Sequence, residues 1–318
     1  MNFKFWKLRW YHWLWLGPLV GVVLLGGMFV LNGFVLAHAE VPTGGIMNHS
    51  ALAEISAADG TTDPPTIKIL SFNIAKCFCS PNNRTFIAAA EIRQRITRIA
   101  AIIKREQPDL VFLSEAVKEA GWTGVDQIGE IAELSEMHAW SFGENMNFGL
   151  PFYRVVSGNA ILSRRPLELV ANPSLAGRKP FYITANNRRI LYCRQNIAGR
   201  SVLLGSIHND SWVREANYKQ TEEILEYVGD QPVILAGDFN AFPEWPQMDL
   251  IKKSGHFNGV TDGPPSFTGT DGSEMTMKQI DYIFVPKSWE LVEHHVVEDD
   301  VSDHNAIVST FRVIWEDK

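Results

Sequence analysis

Cysteine is scarce: Cys77, Cys79 and Cys193 are the only three among 318 residues. That is too few for a disulfide framework and one short of a four-ligand zinc site. In a strand, Cys77 and Cys79 would share one face, and in an oxidising compartment either could pair with Cys193. Positive charge is short as well. Lys and Arg number 29 against 36 Asp and Glu, a net charge of −7, and residues 64–318 hold 26 basic against 32 acidic side chains. Holding nucleic acid mainly by charge requires Lys and Arg to neutralise phosphates, so the balance argues against that class. It leaves room for an enzyme that reaches phosphates through a metal. No repeat of 20–50 residues is present.

Residues 10–39 contain no Asp, Glu, Lys or Arg. A bilayer is crossed by about 20 such residues, so a membrane span is expected here. Lys4, Lys7 and Arg9 precede it and Glu40 follows, which places the N-terminus in the cytoplasm and the rest outside. Trp6, Trp10, Tyr11, Trp13 and Trp15 crowd the inner end, where an aromatic belt would lie. Ala37-His38-Ala39 also has the small-x-small form of a signal-peptide cleavage site. The apolar run is longer than the roughly 7–15 residues of a signal core, and an uncleaved single-pass anchor is the preferred reading. Residues 1–39 are thus tip and anchor, 40–65 a linker rich in Ala, Gly, Thr, Pro and Asp, and 66–318 the folded domain.

Within that domain, apolar strands repeatedly end in polar groups that are costly to bury unless paired or liganded. Residues 67–74 alternate as a strand and deliver Asn73. Ile92, Ile96, Ile99 and Ile103 trace one face of a helix whose Arg and Lys residues populate a solvated surface, and Pro108 ends it. Residues 110–115 form an apolar strand terminating in Glu115. A weaker helix is expected over 126–137, a short strand over 158–163, and a strand pair over 188–193 and 200–207 that ends in His208. A helix over 214–228 turns Ala216, Ile224, Leu225 and Val228 inward. The buried-type strand 232–236 then delivers Gly237-Asp238-Phe239-Asn240. Residues 254–279 read as loops, 279–285 as a strand carrying Asp281, and Ser302-Asp303-His304 opens the last strand. Strand, helix, strand with polar groups at matching ends is the pattern of an α/β sheet.

A carboxylate with an amide oxygen beside it is hard-oxygen ligation, suited to magnesium, manganese or calcium. With two histidines and further Asp and Asn, the set fits hydrolysis of a phosphate ester.

In order, Ser71-Phe72-Asn73, Leu113-Ser114-Glu115, Gly158-Asn159-Ala160-Ile161-Leu162-Ser163, Ile207-His208, Gly237-Asp238-Phe239-Asn240, Ile280-Asp281-Tyr282-Ile283 and Ser302-Asp303-His304 resemble the segments of the endonuclease/exonuclease/phosphatase superfamily. The resemblance covers residues 67–312. It implies an α/β fold, a four-layer α/β sandwich of two mixed β-sheets flanked by helices, here preceded by one N-terminal transmembrane helix. It implies Mg²⁺ or Mn²⁺ as cofactor, with Glu115 as main ligand, Asn73 beside it and Asp303 assisting. Asp238 and Asn240 would handle the nucleophilic water, Asp281 would pair with His304, and His208 would contact the phosphate or assist the leaving group. Either Asp238 or His304 would be the general base. The expected partners are a phosphate-ester substrate, nucleic acid or phospholipid headgroup, and the membrane through the N-terminal helix, with no protein partner. An endonuclease-like phosphodiesterase ranks first, and a sphingomyelinase-like or inositol-phosphate phosphatase activity second. A tethered binding module that has lost turnover ranks last, because every catalytic-type position is filled. Trp122, Trp212, Phe242 and Trp245 are candidates for lining a substrate groove.

Overall fold

The computed structural model describes residues 10–37, 39–47, 65–77, 87–177, 188–268 and 278–316. The apolar N-terminal run forms α1 (Trp10–Leu31), continued by a π-helical turn over Asn32–Leu36. Then follow β1 (Thr43–Ile46), β2 (Thr66–Asn73), α2 (Ala89–Glu106), β3 (Leu110–Ala120), α3 (Gln127–Leu134), β4 (Ala139–Leu150) and β5 (Tyr153–Ser163). The second half contributes β6 (Glu168–Ala171), β7 (Leu191–Ile197), β8 (Arg200–His208), α4 (Arg214–Val228), β9 (Val233–Asp238), α5 (Pro246–Ser254), β10 (Phe257–Asn258), β11 (Asp281–Pro286), β12 (Glu290–Val297) and β13 (Ala306–Arg312).

The strands make two sheets, in the orders β1-β4-β5-β3-β2-β13-β12 and β10-β11-β9-β8-β7-β6. Each sheet contains one parallel pair, β2 with β3 and β8 with β9, joined through α2 and α4 respectively, and is otherwise antiparallel. Strand periodicity divides the core into three apolar layers. On β2, Ile67 and Ile69 face the second sheet, whereas Leu70 and Phe72 face α2 and α3. On β9, Ile234 and Ala236 join that inter-sheet layer, and Val233 and Leu235 pack toward α4 and α5. Helix, sheet, sheet, helix is the expected four-layer sandwich.

The isoleucine stripe of α2 is fully buried, and Gln107 closes the helix in a left-handed conformation just before Pro108. Its cations lie at the surface in ion pairs, Arg93 with Glu130 and Arg98 with Asp299 and Asp300. Several expectations are corrected. The stretch 40–65 is not linker throughout, since β1 pairs with β4 at the sheet edge; residues 48–64 lie outside the described ones. The inner face of α4 is Asn217, Gln220, Thr221, Ile224 and Val228, because its amides and hydroxyl serve backbone groups near the site, while Ala216 and Leu225 are half-buried. The region 254–279 is not only loop: β10 pairs with β11. Sequence reading missed β4, which carries Glu144, Asn145 and Asn147, and β12, an exposed charged strand at the sheet's edge. Cys77 sits in a 3-10 turn, not a strand, and Cys79 lies outside the described residues. Cys77 and Cys193 are free, buried in separate apolar layers. Burial pushes their thiols up, to about 12 and about 11.

Candidate active site

The two parallel pairs bring their carboxyl ends together. In register, Asn73 stands beside Ser114 and His208 beside Asp238. The sheets meet there through side chains: Asn73 Nδ2 donates to Asp238 Oδ2 at 3.0 Å. Gly237 permits the close approach. Its φ of +144°, and a Cβ that would lie 2.0 Å from the Ile207 carbonyl oxygen, admit no larger residue. Five of the eight non-glycine residues with positive φ among the described residues surround this point: Ala75, Lys76, Cys77, Glu115 and Asn240. Such backbone strain costs about 1–3 kcal/mol per residue and concentrates where function demands it.

Asp238 and the last strand's entrance form the centre. Asp238 Oδ1 accepts from the Asn240 backbone N–H at 2.9 Å, and Asp238 Oδ2 lies 3.7 Å from His304 Nε2. His304 Nδ1 bonds Asp281 Oδ2 at 2.8 Å, and the same oxygen accepts from Ser266 Oγ at 2.7 Å. Burial alone would lower the His304 pKa, but the surrounding carboxylates of Asp281, Asp238 and Asp303 outweigh it and push it up to about 10. Burial and the Asp281 charge raise Asp238 to about 7, against the opposing pull of His304.

Glu115 reaches the site from inside a strand rather than from its end, a further correction. Pairing shifts from Leu113 opposite Ala160 to Ala116 opposite Gly158, so Ser114 and Glu115 together face Asn159 in a bulge. The bulged Glu115, at φ +56°, points at His208 Nε2, 3.6 Å away, and is ion-paired with Lys76. Burial would raise its pKa, yet the Lys76 ammonium, helped by the Arg188 charge, holds it well below the usual carboxylate range. His208 is held well below its ordinary value by burial and by the neighbouring Arg188 charge, so it is neutral, and its Nδ1 has no partner among the described residues.

The structure therefore gathers Asn73, Glu115, His208, Asp238, Asp281 and His304 into one buried constellation. Asn240 contributes its backbone N–H; its side-chain amide donates to the Asn209 carbonyl at 3.0 Å. Asp303 sits at the rim, half-buried, beside Ser302, whose hydroxyl lies 3.3 Å from it and donates to the Asn73 carbonyl at 2.7 Å. Sequence reading missed Lys76, Arg188 and Ser266. Arg188 is buried, donates to the His208 carbonyl at 3.4 Å and to Ser211 Oγ at 3.3 Å, and its charge faces Glu115, Asp238 and Asp210. Its only sequence signal was an arginine pair directly before a strand. Ser266 carried none. Of the groove candidates, Trp212 is 87% exposed, Trp122 is half-buried, and Trp245 packs on Phe242 with Arg214 stacked over its ring at 4.0 Å.

Two places can be considered for a metal. Asp238, Asp281 and His304 offer ligand atoms within 4.8 Å of one another. There Asp281 Oδ2 serves His304 and Ser266, while Asp281 Oδ1 is buried with no partner among the described residues, and His304 would ligate only as a neutral imidazole. The second place is Glu115, an oxygen donor of the kind a hard divalent cation takes, although the Oδ1 of Asn73 on the neighbouring strand already accepts from the Ala75 N–H at 3.0 Å. Glu115 in particular is ionised and already holds a positive group, the Lys76 ammonium.

Residues 70–304 match the model of the Endonuclease/Exonuclease/phosphatase family. The fold is similar to that of an endonuclease/exonuclease/phosphatase from Beutenbergia cavernae DSM 12333, at 22% identity and a TM-score of 0.59 over 78% of this chain and 72% of that one. It is also similar to a humanized TDP2 of D. rerio, at 16% identity and a TM-score of 0.56 over 78% of this chain and 99% of that one. A mannosyl-6-phosphatase of Bacteroides thetaiotaomicron VPI-5482 aligns at 17% identity and a TM-score of 0.52 over 77% of this chain and 99% of that one. No curated protein sequence gives a significant match.

Proposed function

The chain belongs to the Endonuclease/Exonuclease/phosphatase family and is a metal-dependent phosphoric ester hydrolase; from that premise we propose that it cleaves phosphodiesters by in-line attack of water, in a domain spanning residues 66–318. The observation that carries this reading is the convergence of Asp238, the Asp281–His304 pair and Glu115 on one buried point from both sheets. Glu115 is the main metal ligand, with Asn73 beside it and Asp303 assisting from the rim. Bound Mg²⁺ or Mn²⁺ supplies neutralisation of phosphoryl oxygens and of charge on the leaving oxygen.

Asp238 is the general base. The Asn240 N–H and the Asn73 amide fix its carboxylate, and it takes the proton of the attacking water as the new P–O bond forms and the ester P–O bond breaks. The departing oxygen is protonated from solvent. Asp281 holds His304 so that Nε2–H faces the site and donates to a phosphoryl oxygen. Neutral His208 offers a hydrogen bond to the same group, and Arg188 supplies a fixed positive charge behind it. Nucleic acid is the preferred substrate. Trp212 projects at the rim, and Arg214, Trp245, Phe242 and Lys278 form a ladder of cations and rings close to Asn240, a surface on which bases stack. Phospholipid headgroups are the second reading, favoured by the apolar helix α1, which is long enough to tether the chain to a bilayer.

The test is hydrolysis of bis(p-nitrophenyl) phosphate, plasmid DNA and sphingomyelin by the full chain in detergent, with Mg²⁺, Mn²⁺ or chelator. Metal-dependent cleavage lost in Asp238→Asn supports the reading. Bound metal without cleavage of any substrate points instead to a tethered binding module.

A further inference from the structure

The apolar N-terminal helix does not stand apart from the folded domain. Asn32, inside the apolar span Leu14–Leu36, is 1% exposed. Its amide donates to Asn147 Oδ1 at 2.8 Å and to the Gly149 carbonyl at 3.0 Å. Arg154 Nη1 donates back to Asn32 Oδ1 at 3.3 Å, and Arg154 Nε bonds Glu119 at 3.0 Å. One helical turn earlier, Phe29 meets Phe148 edge to face, with ring centroids 5.3 Å apart. All of these partners lie on β3 or on the β4–β5 hairpin near its tip.

The depth of that contact follows from length. At about 1.5 Å per residue, a 23-residue span measures roughly 35 Å, close to the roughly 30 Å of bilayer hydrocarbon. Its outer end, Leu36, is then held near the outer boundary. Asn32 and Phe29 lie about 6 and 10 Å beneath it. Whatever touches them shares that slab. The hairpin tip follows within a few residues of Asn147 and Gly149, and it is apolar where it meets solvent: Phe152 is 68% and Tyr153 50% exposed.

We propose that residues 150–153 form a second membrane contact, inserting beside the anchor into the outer headgroup and upper acyl region of a lipid bilayer. The polar Asn32–Asn147–Arg154–Glu119 cluster then clamps hairpin to helix at the interface, where both the nitrogen and the oxygen of the Asn32 amide have partners. Tyr153 and Phe152 are interfacial side chains of the kind that settle at headgroup level. The orientation has a consequence. β3 runs from Glu115 to Ala120, which pairs with Val155, and Gly121 N–H donates to the Arg154 carbonyl. The tip therefore lies at the same end of the sheet as the catalytic constellation, so docking brings that end to the lipid surface. The contact is independent of which phosphodiester is cleaved.

The test uses the full chain in phosphatidylcholine–phosphatidylglycerol vesicles, in a Cys79→Ser background; Cys77 and Cys193 are fully buried and unreactive. An environment-sensitive fluorophore is attached at Phe152→Cys, at Tyr153→Cys, or at Val292→Cys on β12, an exposed site at the opposite edge and end of the sheet. The expected result is a blue-shifted emission at 152 and 153 that loses most of its intensity to lipids spin-labelled high on the acyl chain, with neither effect at 292. Emission at both 152 and 153 indistinguishable from that at 292 overturns the proposal. No turnover is needed, so the outcome is separate from that of the hydrolysis assay.

Discussion

Asp281 Oδ2 accepts from Ser266 Oγ and meets His304 Nδ1 at 2.8 Å, so one oxygen of a buried carboxylate is committed to one imidazole and one hydroxyl. This pair sets the charge of the site. It keeps His304 a cation by surrounding it with carboxylates, and it turns Nε2 toward Asp238 and Asn73.

The pair makes stability depend on pH in a defined direction. His304 has a folded pKa raised to about 10 against an ordinary value of 6.5. Its contribution is therefore complete below pH 6.5 and is lost as pH rises through about 10. Thermal melts of the wild type and Asp281→Asn should diverge most near neutral pH and converge above pH 10. A constant gap across that range would refute the assignment.

Activity should follow the same constellation. Asp238→Asn keeps the shape but removes the base, and the expected loss is about 10²–10⁴-fold in kcat, the usual contribution of such a group. KM should change little, because His304 and His208 still bind the phosphate. A loss confined to KM would assign Asp238 to binding instead.

Lys76 and a divalent cation compete for the Glu115 carboxylate. In Lys76→Met that competition ends, and the Mg²⁺ concentration for half-maximal activation should fall about tenfold, equivalent to roughly 1.4 kcal/mol. Glu115→Gln should have the opposite effect, weakening metal activation while the fold persists. Metal titrations of both variants decide it, and an unchanged midpoint in Lys76→Met would show that the ammonium does not occupy the cation's position.

Gly237→Ala tests the join between β8 and β9. The added Cβ meets the Ile207 carbonyl at 2.0 Å in a backbone conformation that L-residues avoid, so the expected cost is about 3 kcal/mol or more. A denaturation midpoint equal to that of the wild type would mean that the strands separate without penalty.

Much of this molecule is written in local patterns. The isoleucines of α2, the alternation along β2 and the apolar runs of β3 and β9 each specify their element, because burial on one face imposes a period of 3.6 or 2 on the chain. The motif residues Asn73, His208, Asp238, Asp281 and His304 were legible because each stands at the end of such a run, where a polar group is out of place unless it has a partner. The apolar span was legible from length alone. What escaped depends on contacts between distant segments. Ser266 matters only because it meets Asp281, Arg188 only because it backs His208, and Lys76 only because a left-handed turn aims it at Glu115. Glu115 itself was found, but the bulge that turns it inward comes from pairing with β5 and leaves no local trace. Asn32 gave the plainest case: one polar residue in an apolar helix, whose role appears when β4 and Arg154 close around it. Periodicity selects the elements one at a time, whereas the site and the seating of the N-terminal helix arise from where the chain brings those elements together.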